Sequence, residues 1–190
     1  AVGHRALKNQ NAGANVYNTA LGYNAGLSVT TGGENTLIGG LTGDALTTSG
    51  ANVAVGYQAL STEDTTGGVT AIGYQALKTQ NASITSYNVA VGYQAGKQVT
   101  TGTSNTLIGG LTGDALTTGN NNVALGYSSL GAETKGDRSV AIGNFALQVQ
   151  NNTTNADIYN VAVGYSAGSA ITTGDENTLV GGLAGDAITI

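Results

Sequence analysis

A glycine that closes a short apolar phrase recurs along the whole chain, and its spacing constrains the fold more than any other feature. In residue numbers, the successive differences are 19, 17, 17, 17, 19, 17, 17, 17, 21 and 17. A fixed short period means that each unit buries its apolar face only by stacking on the next unit, so the chain is a repeat array. The repeat glycines are Gly3, Gly22, Gly39, Gly56, Gly73, Gly92, Gly109, Gly126, Gly143, Gly164 and Gly181.

The spacing pattern itself repeats, which groups the repeats into blocks of four. One longer step followed by three shorter ones leads from Gly3 to Gly73, and the same series leads from Gly73 to Gly143. The sequence starts within a repeat at Ala1 and lacks an initiator Met, which predicts that it is a fragment of a longer chain. We interpret it as a single repeat array, 1–190, with four-turn blocks at 3–72, 73–142 and 143–190, the last incomplete.

The phrase around each glycine has the pattern of a β-strand. Residues 52–57 read Asn-Val-Ala-Val-Gly-Tyr, which alternates branched and small side chains at period two. Thr, Gly and Asn dominate the segments between phrases, as in 117–120, and favour turns. About 17 residues per cycle leave no room for a helical crossover, so each turn must lie about 4.8 Å above the last. The sequence therefore predicts an all-β fold, a parallel β-solenoid with eleven strands, one for each repeat glycine.

An asparagine stands four positions before most of the repeat glycines. Stacked in register, each amide could donate to the amide above, which would form a buried structural ladder. The alternative is a hydrogen bond from each Asn side chain to its local backbone. Val69 and Ser139 replace Asn at the equivalent turn of two successive blocks. The predicted ladder comprises Asn18, Asn35, Asn52, Asn88, Asn105, Asn122, Asn160 and Asn177.

Composition argues against several classes of partner. Only 9% of residues are charged, the net charge is -5, and no basic cluster exists that could neutralise successive phosphates. No apolar run approaches the roughly 20 residues of a membrane span. We therefore expect neither a nucleic acid nor a membrane as a partner.

The residues that could support chemistry are few and scattered. His4 is the only histidine, and metal or triad sites need several converging groups. Asp44, Asp114 and Asp186 recur in a Gly-Asp-Ala phrase, but the first two lie four turns apart, roughly 19 Å. Paired Thr residues, such as those at 30–31 and 117–118, suggest ice binding, although a pair offers one outward hydroxyl per turn. We predict a non-enzymatic protein with no catalytic residue, metal or cofactor.

The strand phrase is small or apolar on both faces, which predicts that both faces are covered. Val53 and Val55 point one way, while Ala54 and Gly56 point the other. One face fills the coil and the second needs a partner. Because fibres usually close around a rotational axis, we expect several copies to wrap together, three being the favoured number.

The repeat resembles two families of fibrous proteins. The phrase Ser-Val-Ala-Ile-Gly at 139–143 is similar to the head repeat of YadA-like trimeric autotransporter adhesins, although that repeat is usually shorter. The phrases at 18–26 and 88–96, with Tyr after the glycine, look more like the repeat shafts of bacteriophage tail fibres. These resemblances imply a left-handed β-roll, trimeric and fibrous, and supply no functional residues.

We accordingly expect a structural segment of a phage tail fibre, extracellular on the virion, that contributes to host-surface attachment. The alternatives are the head of a bacterial surface adhesin and a monomeric solenoid that binds ice or carbohydrate. The expected partners are further copies of the chain and a cell-surface receptor, such as a glycan, bound by loops or by a tip elsewhere. The candidate loops, the longest variable segments, are 8–17, 78–87 and 148–159.

Overall fold

The computed structural model describes residues 1–13 and 15–190. Ala14, which belongs to the predicted loop 8–17, lies outside the described residues. The described part contains ten strands of three residues each: β1 Thr19–Leu21, β2 Thr36–Ile38, β3 Val53–Val55, β4 Thr70–Ile72, β5 Val89–Val91, β6 Thr106–Ile108, β7 Val123–Leu125, β8 Val140–Ile142, β9 Val161–Val163 and β10 Thr178–Val180.

All ten strands form one parallel sheet in chain order, each paired with its neighbours in the sequence of strands. The register is regular, so that Ala54 of β3 lies beside Leu37 of β2 and Ala71 of β4. The predicted parallel β-solenoid, with its short and nearly constant turn, is therefore confirmed. The predicted eleventh strand, before Gly3, is present only as an isolated bridge from Val2 to Leu21. The other strands take the three residues before their glycine, whereas only Ala1 and Val2 precede Gly3 in this sequence.

The interior of the coil is filled by the middle residue of each strand and not by its branched neighbours. Ala54 and Leu37 have no exposed surface, whereas Val53 and Val55 on either side of Ala54 face outward. The same burial pattern holds along the array. The narrow coil thus accepts mainly Ala at this position, with Leu37, Leu107 and Leu179 as the larger occupants.

The fourth and seventh residues after each repeat glycine also contribute to the core, and a bulky apolar side chain stands at one of the two positions in every turn. The fourth residue after the repeat glycine is Leu or Gly, and both have positive φ, as in Leu60 at +52° and Gly43 at +52°. Where it is Leu, the seventh residue is Gln or Glu, and where it is Gly, the seventh is Val, Leu or Ile. A Cβ on Gly43 would lie 2.8 Å from Leu46 Cδ1, so the later side chain occupies the space that the glycine leaves.

This exchange was not predicted, although its signal is in the sequence. The pairs with Leu first are Leu7 and Gln10, Leu60 and Glu63, Leu77 and Gln80, Leu130 and Glu133, and Leu147 and Gln150. The pairs with Gly first are Gly26 and Val29, Gly43 and Leu46, Gly96 and Val99, Gly113 and Leu116, Gly168 and Ile171, and Gly185 and Ile188. Each turn therefore has one bulky apolar side chain at these two positions, and three turns add a second from the strand centre, namely Leu37, Leu107 and Leu179.

The repeat glycines lie in a column in which consecutive turns approach closely. Gly39 has φ +139°, and a Cβ on it would lie 2.5 Å from the carbonyl oxygen of Gly56 in the next turn. The same relation joins Gly56 to Gly73 and Gly109 to Gly126. A side chain here would both clash with fixed backbone and adopt a strained φ, so glycine is required for the turns to stack.

The neighbouring glycines Gly39 and Gly40 provide a matched test of this requirement. A Cβ on Gly40 would meet Tyr57 Cδ2 at 3.5 Å, which is an ordinary contact. We expect Gly39→Ala to lower the free energy of unfolding by about 1–3 kcal/mol or more. Gly40→Ala should change it by less than about 0.5 kcal/mol. Denaturant melts measure both, and equal losses would contradict the glycine-column account.

Candidate interaction surfaces

The asparagines of the predicted ladder lie in one column inside the coil, and they bond mainly to backbone. Asn105 Oδ1 accepts the backbone N–H of Asn122 at 3.0 Å, and its Nδ2 donates to the Gly119 carbonyl at 2.9 Å. Each side chain so arranged ties its own turn to the next. The amide-to-amide bond expected from the sequence occurs from Asn52 to Asn35 at 3.0 Å and from Asn177 to Asn160 at 3.2 Å. The bonding differs because in-register stacking places a backbone N–H beside each side-chain oxygen.

The two turns that lack Asn contain a buried carboxylate instead. Glu133 is fully buried and is bonded by neutral donors. Its Oε1 accepts the backbone N–H groups of Gly136 at 2.8 Å and Asn152 at 3.0 Å, and its Oε2 accepts Gln150 Nε2 at 2.8 Å. Gln150 Nε2 also donates to Ser139 Oγ at 3.1 Å. These hydrogen bonds satisfy the polar atoms of the buried carboxyl group and so offset the cost of removing it from water.

An equivalent network lies four turns earlier. Glu63 is also fully buried, and it accepts Gln80 Nε2 at 3.2 Å and the Thr66 hydroxyl at 2.7 Å. Both glutamates stand at the last turn of a four-turn block. Sequence reasoning missed them, although the recurrence of Glu at this one core position in two successive blocks was a usable signal.

The outward side of the sheet is an uncharged and mostly apolar surface, which we call the outer sheet face. It consists of two residues from each of the ten strands. The first residue of the strand is Thr or Val, and the third is Val, Leu or Ile. Leu125 and Ile108 are 42% and 37% exposed, and the strands contain no charged residue. Nine steps of about 4.8 Å make the face about 43 Å long. Nothing in the described chain covers it.

Tyrosines follow the glycine column along one edge of the outer sheet face. Tyr57, Tyr74 and Tyr93 form a stack, with ring centroids 5.7 and 5.3 Å apart. His4 stacks on Tyr23 at 5.4 Å, which places the only histidine of the chain in this aromatic column. Beside the stack, Gln94 Nε2 donates to Gln75 Oε1 at 3.0 Å. We call this edge the tyrosine column.

The candidate loops are anchored by packing at their bases and exposed at their tips. In the loop 148–159, Gln150 and Ile158 are buried, and Asp157 forms an ion pair with Arg138. Arg138 Nη1 also donates to the Tyr159 hydroxyl at 3.1 Å. In the loop 78–87, Ile84 and Tyr87 are each 66% exposed. The tips therefore offer side chains to solvent, and no ligand site is formed by converging groups in these two loops.

The three Gly-Asp-Ala aspartates lie far apart along the rod and are not equivalent. Asp44 and Asp114 are half-buried, and burial raises the pKa of each carboxyl above its ordinary value of 3.8. Lys97 partly opposes the rise in the pKa of Asp114. Asp44 Oδ1 is buried and has no hydrogen-bond partner, whereas Asp186 is exposed. The described side-chain hydrogen bonds include none in which the carboxyl group of Asp44 or Asp114 caps a turn.

The first threonine of each pair is bonded within the protein, whereas the second threonine is exposed in the pairs that contain Thr31, Thr48 and Thr101. Thr30 Oγ1 donates to the Thr47 carbonyl at 3.1 Å, and Thr47 Oγ1 donates to the Asp64 carbonyl at 3.0 Å. The same bond joins Thr100 to Thr117 at 3.1 Å. These side chains link successive turns, so their donor protons are not free to order water.

Over residues 1–13 and 15–190, the structure contains no cavity of ligand size and no group of His, Cys, Asp or Glu that could hold a metal ion. In the same residues no helix is long and apolar enough to span a membrane. Neither a protein-family model, nor a curated protein, nor a solved structure matches the chain. The candidate functional features are therefore the outer sheet face, the tyrosine column and the loop tips.

The raised pKa of Asp44 predicts an unusual pH dependence. Because the ionised form is disfavoured in the folded state, the destabilisation is complete above the folded pKa and disappears as the pH falls toward 3.8. We expect Asp44→Asn to raise the melting temperature at pH 7 and to have no such effect near pH 3. Asp186→Asn, in the same phrase but exposed, is the control. A gain that is equal at both pH values would contradict this explanation.

Proposed function

We propose that this chain is a segment of an extracellular fibre shaft, of the kind found in bacteriophage tail fibres, which contributes to attachment at the host surface. The role is structural and non-catalytic. The outer sheet face is the observation that carries the proposal. A mostly apolar surface without charge along all ten strands is characteristic of a face that another protein surface covers.

The partner that fits this face best is another copy of the same chain. Its side chains repeat at the spacing of the solenoid turns, so a covering surface must have the same period to pack against it at every step. A second solenoid of identical sequence has that period. Closed rotational symmetry then lets each copy cover the face of its neighbour, and three copies around one axis make a fibre.

Exposed groups remain on such a fibre for contact with a cell surface. The loop tips at 78–87 and 148–159 project from the coil, and a surface receptor, including a glycan, would meet them there or at a tip beyond this segment. The head of a bacterial surface adhesin uses the same architecture and is the second candidate. Immunogold labelling with an antibody against this segment distinguishes the two, because the label would lie on virion tails in one case and on cells in the other.

Molar mass in solution tests the self-association directly. We expect light scattering to give three times the 18.7 kDa of one chain. Ile108→Asp places a charge on the outer sheet face and should shift the mass toward a single chain, because the buried carboxylate would lack a partner. Ile84→Asp, the same change in a loop tip, should leave the mass unchanged.

Circular dichroism of both variants verifies that the solenoid itself still forms. A wild-type mass of 18.7 kDa would remove the intertwined fibre from consideration and would favour a monomeric binding solenoid. A mass that Ile108→Asp leaves unchanged would place the contact between copies on another surface.

A further inference from the structure

The buried glutamates Glu63 and Glu133 stand one turn before the candidate loops of the second and third blocks. The seventh position after the repeat glycine is Glu at these two turns and Gln one turn later, at Gln80 and Gln150. Each glutamine lies near the start of its loop. All four side chains are fully buried, and each glutamate accepts a hydrogen bond from the glutamine of the next turn.

The carboxyl group of Glu133 joins its own turn to the base of the loop. Its Oε1 accepts the backbone N–H groups of 134–136, at 2.8 to 3.0 Å. From the next turn, Oε1 accepts the backbone N–H of Asn152 at 3.0 Å, and Oε2 accepts the side-chain amides of Gln150 and Asn152 at 2.8 and 2.9 Å. Each of these partners is an N–H donor, so both carboxyl oxygens are used as acceptors.

The glutamine of each pair joins the two ends of its loop. Gln150 Oε1 accepts Asn160 Nδ2 at 2.8 Å, and Asn160 directly follows the loop. Because the amide nitrogen of Gln150 faces the carboxyl group of Glu133, its oxygen is turned toward the asparagine. Asn88 Nδ2 donates to Gln80 Oε1 at 2.9 Å in the same way. We call each set of three side chains a loop clasp: Glu63, Gln80 and Asn88, and Glu133, Gln150 and Asn160.

We propose that Glu63 and Glu133 are positioning residues for the loops that follow them, and that each acts by fixing the orientation of the glutamine amide in its clasp. The base of the loop is thereby held in one arrangement while the tip stays exposed, as at Ile84 and Tyr87. A loop that is ordered before it meets a surface loses less conformational entropy on binding. The inference rests on the proposed function for the use of the loops, but not for their structure.

The two clasps hold their loops with different numbers of bonds. Glu63 accepts the Thr66 N–H at 3.1 Å and its hydroxyl at 2.7 Å, but from the next turn it accepts only Gln80 Nε2 at 3.2 Å and the Ala82 N–H at 3.4 Å. Ala82 stands where the other clasp has Asn152, so one side-chain donor is missing. The loop 78–87 should therefore exchange its backbone amide hydrogens faster than the loop 148–159.

Hydrogen exchange measured by mass spectrometry on the whole chain tests the role of Glu133. An amide in its place has one acceptor oxygen, and with that oxygen on the N–H groups of 134–136, its NH2 group faces Gln150 Nε2. Gln150 must then turn over and lose its bond from Asn160. We expect Glu133→Gln to accelerate exchange in the loop 148–159 about tenfold and to leave β7 and β8 unchanged.

Two matched variants separate loop positioning from general stability. Glu176→Gln alters an exposed carboxyl group beside the same loop, where the Glu176 N–H donates to the Ile158 carbonyl at 2.8 Å, and should leave exchange unchanged. Glu63→Gln should accelerate exchange in the loop 78–87 and leave the loop 148–159 as it is. Circular dichroism verifies that each variant forms the solenoid.

If Glu133→Gln does not fold, Asn152→Ala removes only one loop bond to the carboxyl group and should give a smaller acceleration in the same loop. Unchanged loop exchange in the folded variant, an equal rise in β7 and β8, or the same rise in Glu176→Gln would overturn the proposal. Exchange is measured on the protein alone, so this inference and the fibre proposal fail independently.

Discussion

The close approach of consecutive repeat glycines is the constraint from which the rest of the structure follows. Each glycine lets the chain place one turn directly against the carbonyl group of the next, with φ values that residues with side chains rarely adopt. Once the turns are at this distance, the strands pair in register with their neighbours. The asparagine column, the threonine bonds and the tyrosine stack all depend on that register, because each joins equivalent positions of successive turns.

The interior and exterior of the coil are specified in different ways. Inside, each turn has a bulky apolar side chain, either Leu at the fourth position or Val, Leu or Ile at the seventh, and the buried carboxyl group of Glu133 lies within a hydrogen-bond network. Outside, the strands present Val, Leu, Ile and Thr with no charge and no cover. The single chain thus buries its own core but leaves the outer sheet face uncovered, and this uncovered face is the physical basis for proposing a fibre of several copies.

Much of the fold was predictable because the spacing of the repeat glycines equals the number of residues in one solenoid turn. The parallel solenoid and its turn length follow from spacing alone, since so short a cycle excludes a helical crossover. The sequence does not show which face of each strand points into the coil, because Val-Ala-Val alternates equally well in either orientation. In the structure Ala54 points inward, since the narrow coil has room for a small side chain. The asparagine column is present, with amide-to-amide bonds at Asn52–Asn35 and Asn177–Asn160, but most of the amides bond to backbone because the sequence does not show which donor lies nearest to each side-chain oxygen.

Fibre diffraction from aligned rods of this protein tests the stacking of turns most directly. In-register turns joined through the glycine column predict a strong meridional reflection at about 4.8 Å, set by the spacing between strands along the rod axis. A meridional pattern without that reflection, or one with the rise of about 1.5 Å per residue of an α-helix in its place, would contradict the account.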